Sequence, residues 1–501
     1  MSRKIRHILQ VGGSLAIAVP KVWFDGKIYI DLADEDWRVV QIGPEGWRVM
    51  GGKGDNPPIL FRRYPHMRSI RVGTPNRDAF ERYFSLIHAP TDEDKLLFRV
   101  ITPTYLIPGK PQLIQVIYGD QGGGKSTIVK LIRALIDPSE TLTLSLPSDR
   151  RERAQQFQHH FVCAYDNLHS ITQAESDDIC RAVSGDGFSK RALYTDDDDC
   201  IFRFMRGFIV NGINVPGQSP DFLDRAIMTR VSRISEEERR DEDDIWATAN
   251  ELIPDAFAYV CETLSRAMKI KPTLKISRLP RMADFALWGE AVSRALGYPD
   301  LAWMRAYWAR LDMQNEIAIE GDVVGALLQE LAKRRNGEWC GSATELLNEL
   351  ILIAPDLKID TRAKYFPKAP HALMRRVNIL KTNLENVGCG VVVLQHPITR
   401  VRQLHIHLQK AFGAFERSFS TEELANAIPK SNAISIRNQK DANAIPSAAN
   451  GISNAISTDT VQGNSTSEKE LKNTEPSASN AILRKIVGKQ KPRAEAGGTG
   501  K

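Results

Sequence analysis

The chain has 501 residues, 42% of them apolar and 26% charged, an ordinary globular composition that at roughly 150 residues per domain disfavours one compact domain and points to about three. The net charge of +6 is unevenly placed: Lys and Arg outnumber Asp and Glu nine to one over 362–410 and twelve to nine over 411–501, which leaves the first 361 residues net acidic. Basicity concentrated toward the C-terminus raises a nucleic-acid-facing surface there, while the absence of a long apolar run or a signal-peptide pattern disfavours membrane insertion and secretion and leaves the cytoplasm as the expected location.

Residues 24–50 alternate β-type runs (KIYIDL, WRVVQI, GWRVM) with turn residues, which predicts a small antiparallel sheet in a β-rich N-terminal region over 1–95. Helical spacing follows at Phe80, Tyr83, Phe84 and Ile87, and Thr91 before DED marks a further helix start. The apolar run LIQVIY at 113–118, a glycine-rich turn and the helical stretch ending at Asp137-Pro138 then predict an α/β domain with a parallel sheet over 96–250, with further strands at 160–165 and 208–210. A helical domain is expected over 251–335. Over 336–410 a helix at about 342–352, a basic helix after Pro370 and the runs GVVVLQ and RQLHIHL read as helix, helix, wing, a winged helix-turn-helix. Beyond it, Asn-Ala-Ile recurs at 426, 432, 443, 454 and 480 with irregular spacing, so 411–501 reads as a disordered low-complexity tail. The six cysteines (Cys163, Cys180, Cys200, Cys261, Cys340 and Cys389) form no CxxC pair and read as free thiols.

The chemistry concentrates at Gly119-Asp-Gln-Gly122-Gly123-Gly124-Lys125-Ser126-Thr127, which satisfies GxxxxGK[ST] between a strand and a helix. Glycines let consecutive N–H groups turn inward around phosphates, Lys125 neutralises β/γ oxygens and the Ser126 hydroxyl can take a place on Mg²⁺, so the motif calls for ATP and Mg²⁺. The apolar run at 161–165 ends in Asp166-Asn167, placing an acid where it can hold the metal together with Ser126; the alternative is a turn-forming Asp-Asn. The run GFIVNG ends in Asn211, whose amide can orient water or sense a γ-phosphate. In the following SPDFLDRAIMTRVSRI, Arg225, Arg230 and Arg233 each suit a phosphoryl contact across a subunit boundary, or an ion pair with Asp221 or Asp224. A second acid beside Asp166 is missing, and Glu175, Asp177 and Asp178 are the substitutes in reach of the sequence.

These motifs in this order, GDQGGGKST, YDN, SDDICRAVSGDGFSKRALYTDDDD, FIVNGI and PDFLDRAI, resemble the superfamily 3 helicase ATPases of phage, plasmid and integrated-element replication proteins, a primase-associated branch of the AAA+ class, over residues 25–410. The resemblance implies catalytic roles for Lys125, Asp166 and Asn211, with Arg225 as arginine finger, and a ring homo-oligomer, a hexamer. Lys190 and Arg191, flanked by Phe188 and Tyr194, then suit single-stranded DNA in the ring channel, against a solvated loop or subunit contact, since Asp196–Asp199 follow. In the winged module, Leu373, Val377, Leu380 and Leu384 make one buried face, and His371, Arg375, Arg376 and Lys381 are available to duplex phosphates; protein contact alone is the alternative. The expected function is ATP-dependent DNA unwinding or translocation in replication of a mobile element. No primase constellation precedes the P-loop, so a primase would be a separate partner. The alternatives are a nucleotide-switched DNA-binding regulator that does not unwind and, less in keeping with the winged module, a small-molecule P-loop kinase.

Overall fold

The computed structural model describes residues 17–408 apart from 19, 52–54, 186–187, 192–198, 203–204, 216, 218 and 396–401, with side chains also outside the description at 17–18, 188–191, 199–202, 394–395 and 402. The tail expected over 411–501 lies outside the described residues.

A two-residue strand, β1 (Ile17–Ala18), precedes β2 (Lys21–Phe24), β3 (Lys27–Asp31), β4 (Val39–Gly43) and β5 (Gly46–Met50), which form the antiparallel sheet read from the sequence, in the order 2-3-4-5. Asp25 and Gly26, both at positive φ, make the tight turn between β2 and β3. β6 (Leu60–Phe61) pairs with β1. Helices α1 (Arg77–Ser85) and α2 (Asp92–Thr104) start where Asn76 and Thr91 accept hydrogen bonds from first-turn amides.

The central sheet comprises β7 (Ile114–Gly119), β8 (Val162–Tyr165), β11 (Gly207–Gly212) and β12 (Ala226–Val231), all parallel, in the order β12-β7-β11-β8. Its strands are apolar almost throughout because helices cover both faces. Among them α3 (Lys125–Ile136) buries Ile128, Val129, Leu131, Ile132 and Leu135. α4 (Arg150–His159) and α5 (Gln173–Ser184) follow, then the hairpin β9 (Phe188–Arg191) and β10 (Asp199–Phe202), and the short α6 (Pro220–Leu223). Gly207 is required where β11 begins, since a methyl there would lie 2.4 Å from the buried Tyr105 ring.

The stretch 251–335 divides between two cores. α7 (Glu242–Ile270), α8 (Ala283–Ala295) and most of α9 (Ala302–Glu320) share one continuous core with both sheets, running to Trp308. The second core starts at Ile319 and takes in α10 (Val323–Arg334), α11 (Ala343–Ile353), α12 (Pro370–Asn386), β14 (Cys389–Gln395) and β15 (Arg402–Leu408). β13 (Glu338–Gly341), absent from the sequence reading, pairs with β15 to complete a three-stranded antiparallel sheet in the order 13-15-14.

Only Gly321 and Asp322 separate α9 from α10. Asp322 caps α10 by accepting from Val324 N and Gly325 N, and its carboxylate also pairs with Arg376 of α12. Two adjacent buried residues of α9 tie the cores together: Gln314 Nε2 donates to Ala226 O at 2.8 Å, at the start of β12, while Asn315 Oδ1 accepts from Asn383 Nδ2 of α12 at 3.0 Å.

Candidate nucleotide-binding site

Parallel pairing brings the carboxyl ends of β7, β8 and β11 together, and the polar residues singled out in the sequence stand on those ends. β11 lies between β7 and β8, so Asn211 sits between the glycine loop and the acid. Ser126 Oγ donates to Asp166 Oδ1 at 2.8 Å, joining the first turn of α3 to the end of β8 across forty residues of chain. Asn211 Oδ1 accepts from Asn167 N at 2.6 Å, holding Asn167 at φ +56°, while Asn211 O accepts from Leu168 N at 2.8 Å. The Asn211 amide nitrogen is buried and has no partner among the described residues, a donor positioned at the end of the sheet with nothing to bond.

The glycine loop fits a phosphate cradle. Gly122 and Gly124 adopt φ of +78° and +71°, a conformation that L side chains rarely take, and a methyl on Gly119 would lie 2.1 Å from Val231 O. Lys125 Nζ donates to Gly119 O at 3.0 Å and Asp120 O at 2.6 Å, so the ammonium folds over its own loop. Partial burial lowers the Lys125 ammonium from its ordinary range, against the opposing pull of Asp120 and Asp166. With Thr127 in the same first helical turn, these groups fit a polyphosphate, and Ser126 with Asp166 fits its Mg²⁺.

The substitute acids have other roles. Glu175 closes the capping box of α5 with Thr172; Asp178 is buried in ion pairs with Arg153 at 2.8 Å and Arg150 at 3.1 Å; and Asp177 accepts from Gln173 at 2.7 Å. Arg225 stands at the other end of the sheet, its carbonyl accepting from Ile114 N where β7 begins. Its guanidinium donates to Ser184 Oγ at 3.1 Å and pairs with Asp221 of the same chain. Burial pushes the Asp221 carboxyl up, but Arg225 and Arg281 outweigh it and hold it below the usual range.

Residues 33–316 match the family described as the actinomycete integrative conjugative element replication protein, and residues 324–422 match the C-terminal domain of that family. The chain belongs to this family. The break between the two matches falls at the end of α9, where the two cores meet. No curated protein matches. Among solved structures, this replication protein is similar to the SCCmec type IV Cch active helicase (12% identity, 81% of this chain and 83% of that one, TM-score 0.40) and to the NrS-1 C-terminal region (11%, 74% and 95%, TM-score 0.35). The JCV helicase is more distant (12%, 44% and 62%, TM-score 0.24).

In the C-terminal part of the replication protein, Leu373, Val377, Leu380 and Leu384 form the buried face of α12. The basic residues expected to contact DNA differ in their partners. Arg376 is paired with Asp322 and Lys381 lies 3.8 Å from Glu385, whereas His371 and Arg375 are exposed. Lys190 and Arg191 belong to β9, whose backbone pairs with β10 in register Lys190↔Cys200 and Arg191↔Asp199; their side chains and Tyr194 lie outside the described residues. Cys163, Cys180, Cys261 and Cys389 are buried free thiols and Cys340 an exposed one, while Cys200 also lies outside the side-chain description. No described helix is long and apolar enough to cross a membrane.

Proposed function

We propose that this replication protein is a Mg²⁺-ATP-dependent DNA helicase or translocase, working as a ring, a hexamer, beside a separate primase. The observation that carries the reading is the meeting of Ser126 and Asp166 at 2.8 Å, with Asn211 on the strand between them and the glycine loop alongside. Lys125 and the loop amides bind the phosphates, Ser126 and Asp166 hold the metal, and the free Asn211 amide orients the attacking water. Bound Mg²⁺ supplies neutralisation of charge on the phosphates. Arg225 reaches the ATP of a neighbouring subunit on exchanging its Asp221 contact. α10–β13–α11–α12–β14–β15 is read as a winged helix, its three-stranded sheet supporting duplex contact through His371 and Arg375 with Arg376 and Lys381 beside them, and Lys190 and Arg191 contact single-stranded DNA in the channel.

The test is ATP turnover with and without single-stranded DNA, together with strand displacement and particle size with and without ATP. Turnover stimulated by single strands, displacement and an ATP-dependent ring are expected. Turnover that ignores single strands, with no displacement of either polarity, sinks the helicase assignment.

One observation favours a second reading, a nucleotide-switched DNA-binding regulator. Asn167 stands where a second acid would polarise water, and Glu175 and Asp178 are committed to a cap and to ion pairs. Slow turnover with nucleotide-dependent assembly on duplex DNA and no unwinding is the outcome that selects it.

A further inference from the structure

Beyond β12 the chain continues alongside the glycine loop, in the same direction. Asp120 N donates to Val231 O at 3.3 Å and Ile234 N to Gly122 O at 3.1 Å. The fit is close enough to dictate sequence: a methyl on Gly123 would lie 2.7 Å from Ser232 O, and one on Gly124 3.1 Å from the Ile234 side chain. The segment Val231–Ile234 is therefore the outer wall of the loop, and Arg233 is the charged residue on it. Its Cγ and Nε lie 3.6 and 3.9 Å from where a Gly122 β-carbon would stand. Arg233 is exposed and makes no ion pair among the described residues, although Glu236, Glu237 and Glu238 follow it.

Arg225 occupies the reverse situation. Its main chain bonds to Ile114, five residues before Gly119 on β7, a separation of roughly 16 Å at about 3.3 Å per strand residue. Within one chain, Arg233 and not Arg225 stands at the phosphate loop. A guanidinium against Gly122 adds positive charge to a loop that already carries Lys125, and this charge is relieved most by the ligand carrying the most negative charge.

We infer that Arg233 binds the terminal phosphate of the nucleotide held by its own chain and sets the preference for triphosphate over diphosphate. The inference rests on the nucleotide-binding reading of the Lys125 loop. The full chain is titrated with fluorescent ATP and ADP analogues as wild type, Arg233→Ala, Arg233→Lys and Lys125→Ala. Arg233→Ala is expected to weaken the ATP analogue about tenfold, the loss of one charge-assisted contact, with little change for the ADP analogue, and Arg233→Lys to restore part of it. Equal binding of both analogues by Arg233→Ala and wild type, with both lost in Lys125→Ala, overturns the role of Arg233 alone. Binding retained in Lys125→Ala overturns the nucleotide site itself. Mixing Arg233→Ala and Lys125→Ala chains separates same-chain from neighbour action: turnover no higher than that of the separate proteins supports the inference, and turnover recovered by mixing overturns it.

Discussion

At the carboxyl end of the parallel sheet, the side chains proposed to act on the nucleotide are held by nearby backbone: Asn211 by Asn167 N, and Lys125 by Gly119 O and Asp120 O. On the exposed face of α12, His371 and Arg375 stand in solvent and Arg376 leans on one distant carboxylate. The first region has a geometry fixed by the chain itself, so a single substitution there removes a preset arrangement. The second depends on summed charge, in which each residue counts for little.

Lys125→Ala is the sharpest way to break the first region. Turnover of ATP is expected to fall roughly 100- to 1,000-fold, measured as phosphate release, with thermal unfolding nearly unchanged. Asn211→Ala should act on both function and fold: turnover lower by roughly 10- to 100-fold, and stability lower by about 1–3 kcal/mol in urea unfolding because Asn167 N loses its acceptor. A variant that keeps wild-type turnover removes Asn211 from the reaction.

Acid tests the region behind the sheet. Burial, then the neighbouring Arg133, pushes the His160 imidazole down to about 3, and His66 and His159 are lowered as well, by burial first. The His160 ring stays neutral in the fold but takes a proton in the unfolded chain near the ordinary value of 6.5, so its contribution to stability is complete above that value and declines as the pH falls toward 3, and the lowered His66 and His159 act in the same direction. Between pH 7.5 and 5.5 the loss from His160 is on the order of 1 kcal/mol, and His160→Gln should flatten the dependence of unfolding on pH.

The smallest effects belong to α12. Arg375→Ala should weaken duplex DNA binding uniformly across sequences and reduce the salt slope by about one, leaving unfolding unchanged. Arg376→Ala should instead cost about 1 kcal/mol of stability, since the nearly buried Asp322 loses its partner. If the two variants behave alike, the distinction drawn from their partners fails.

Three of the parallel strands and the glycine loop were legible because each is local: an apolar run closed by a turn. β12 was not, because Thr229 and Arg230 interrupt its apolar run and it takes its place by pairing with β7. Asp166 and Asn211 were legible as strand ends. That Asn211 stands between the glycine loop and Asp166 depends on β11 entering between β7 and β8, which no local pattern announces. β13 was missed because Glu338–Gly341 has no alternation of its own and exists by pairing with β15, some sixty residues on. The difference between Arg375 and Arg376 lies in Asp322, which helical spacing along α12 cannot reveal. The place of Arg233 was hidden for the same reason, since it follows from backbone bonds between the end of β12 and the loop.

The join between α9 and α10 has a mechanical meaning. Gly321 and Asp322 leave no slack, Asp322 is clamped by the cap of α10 and by Arg376, and a methyl on Gly325 would lie 2.8 Å from Ile319 O. The two cores are thus spliced rather than tethered. A torque applied to α12 passes through Asn383 and Asn315 into α9 and, one residue along, through Gln314 to the first residue of β12. Such a connection leaves little slack between α12 and the residue that follows Arg225.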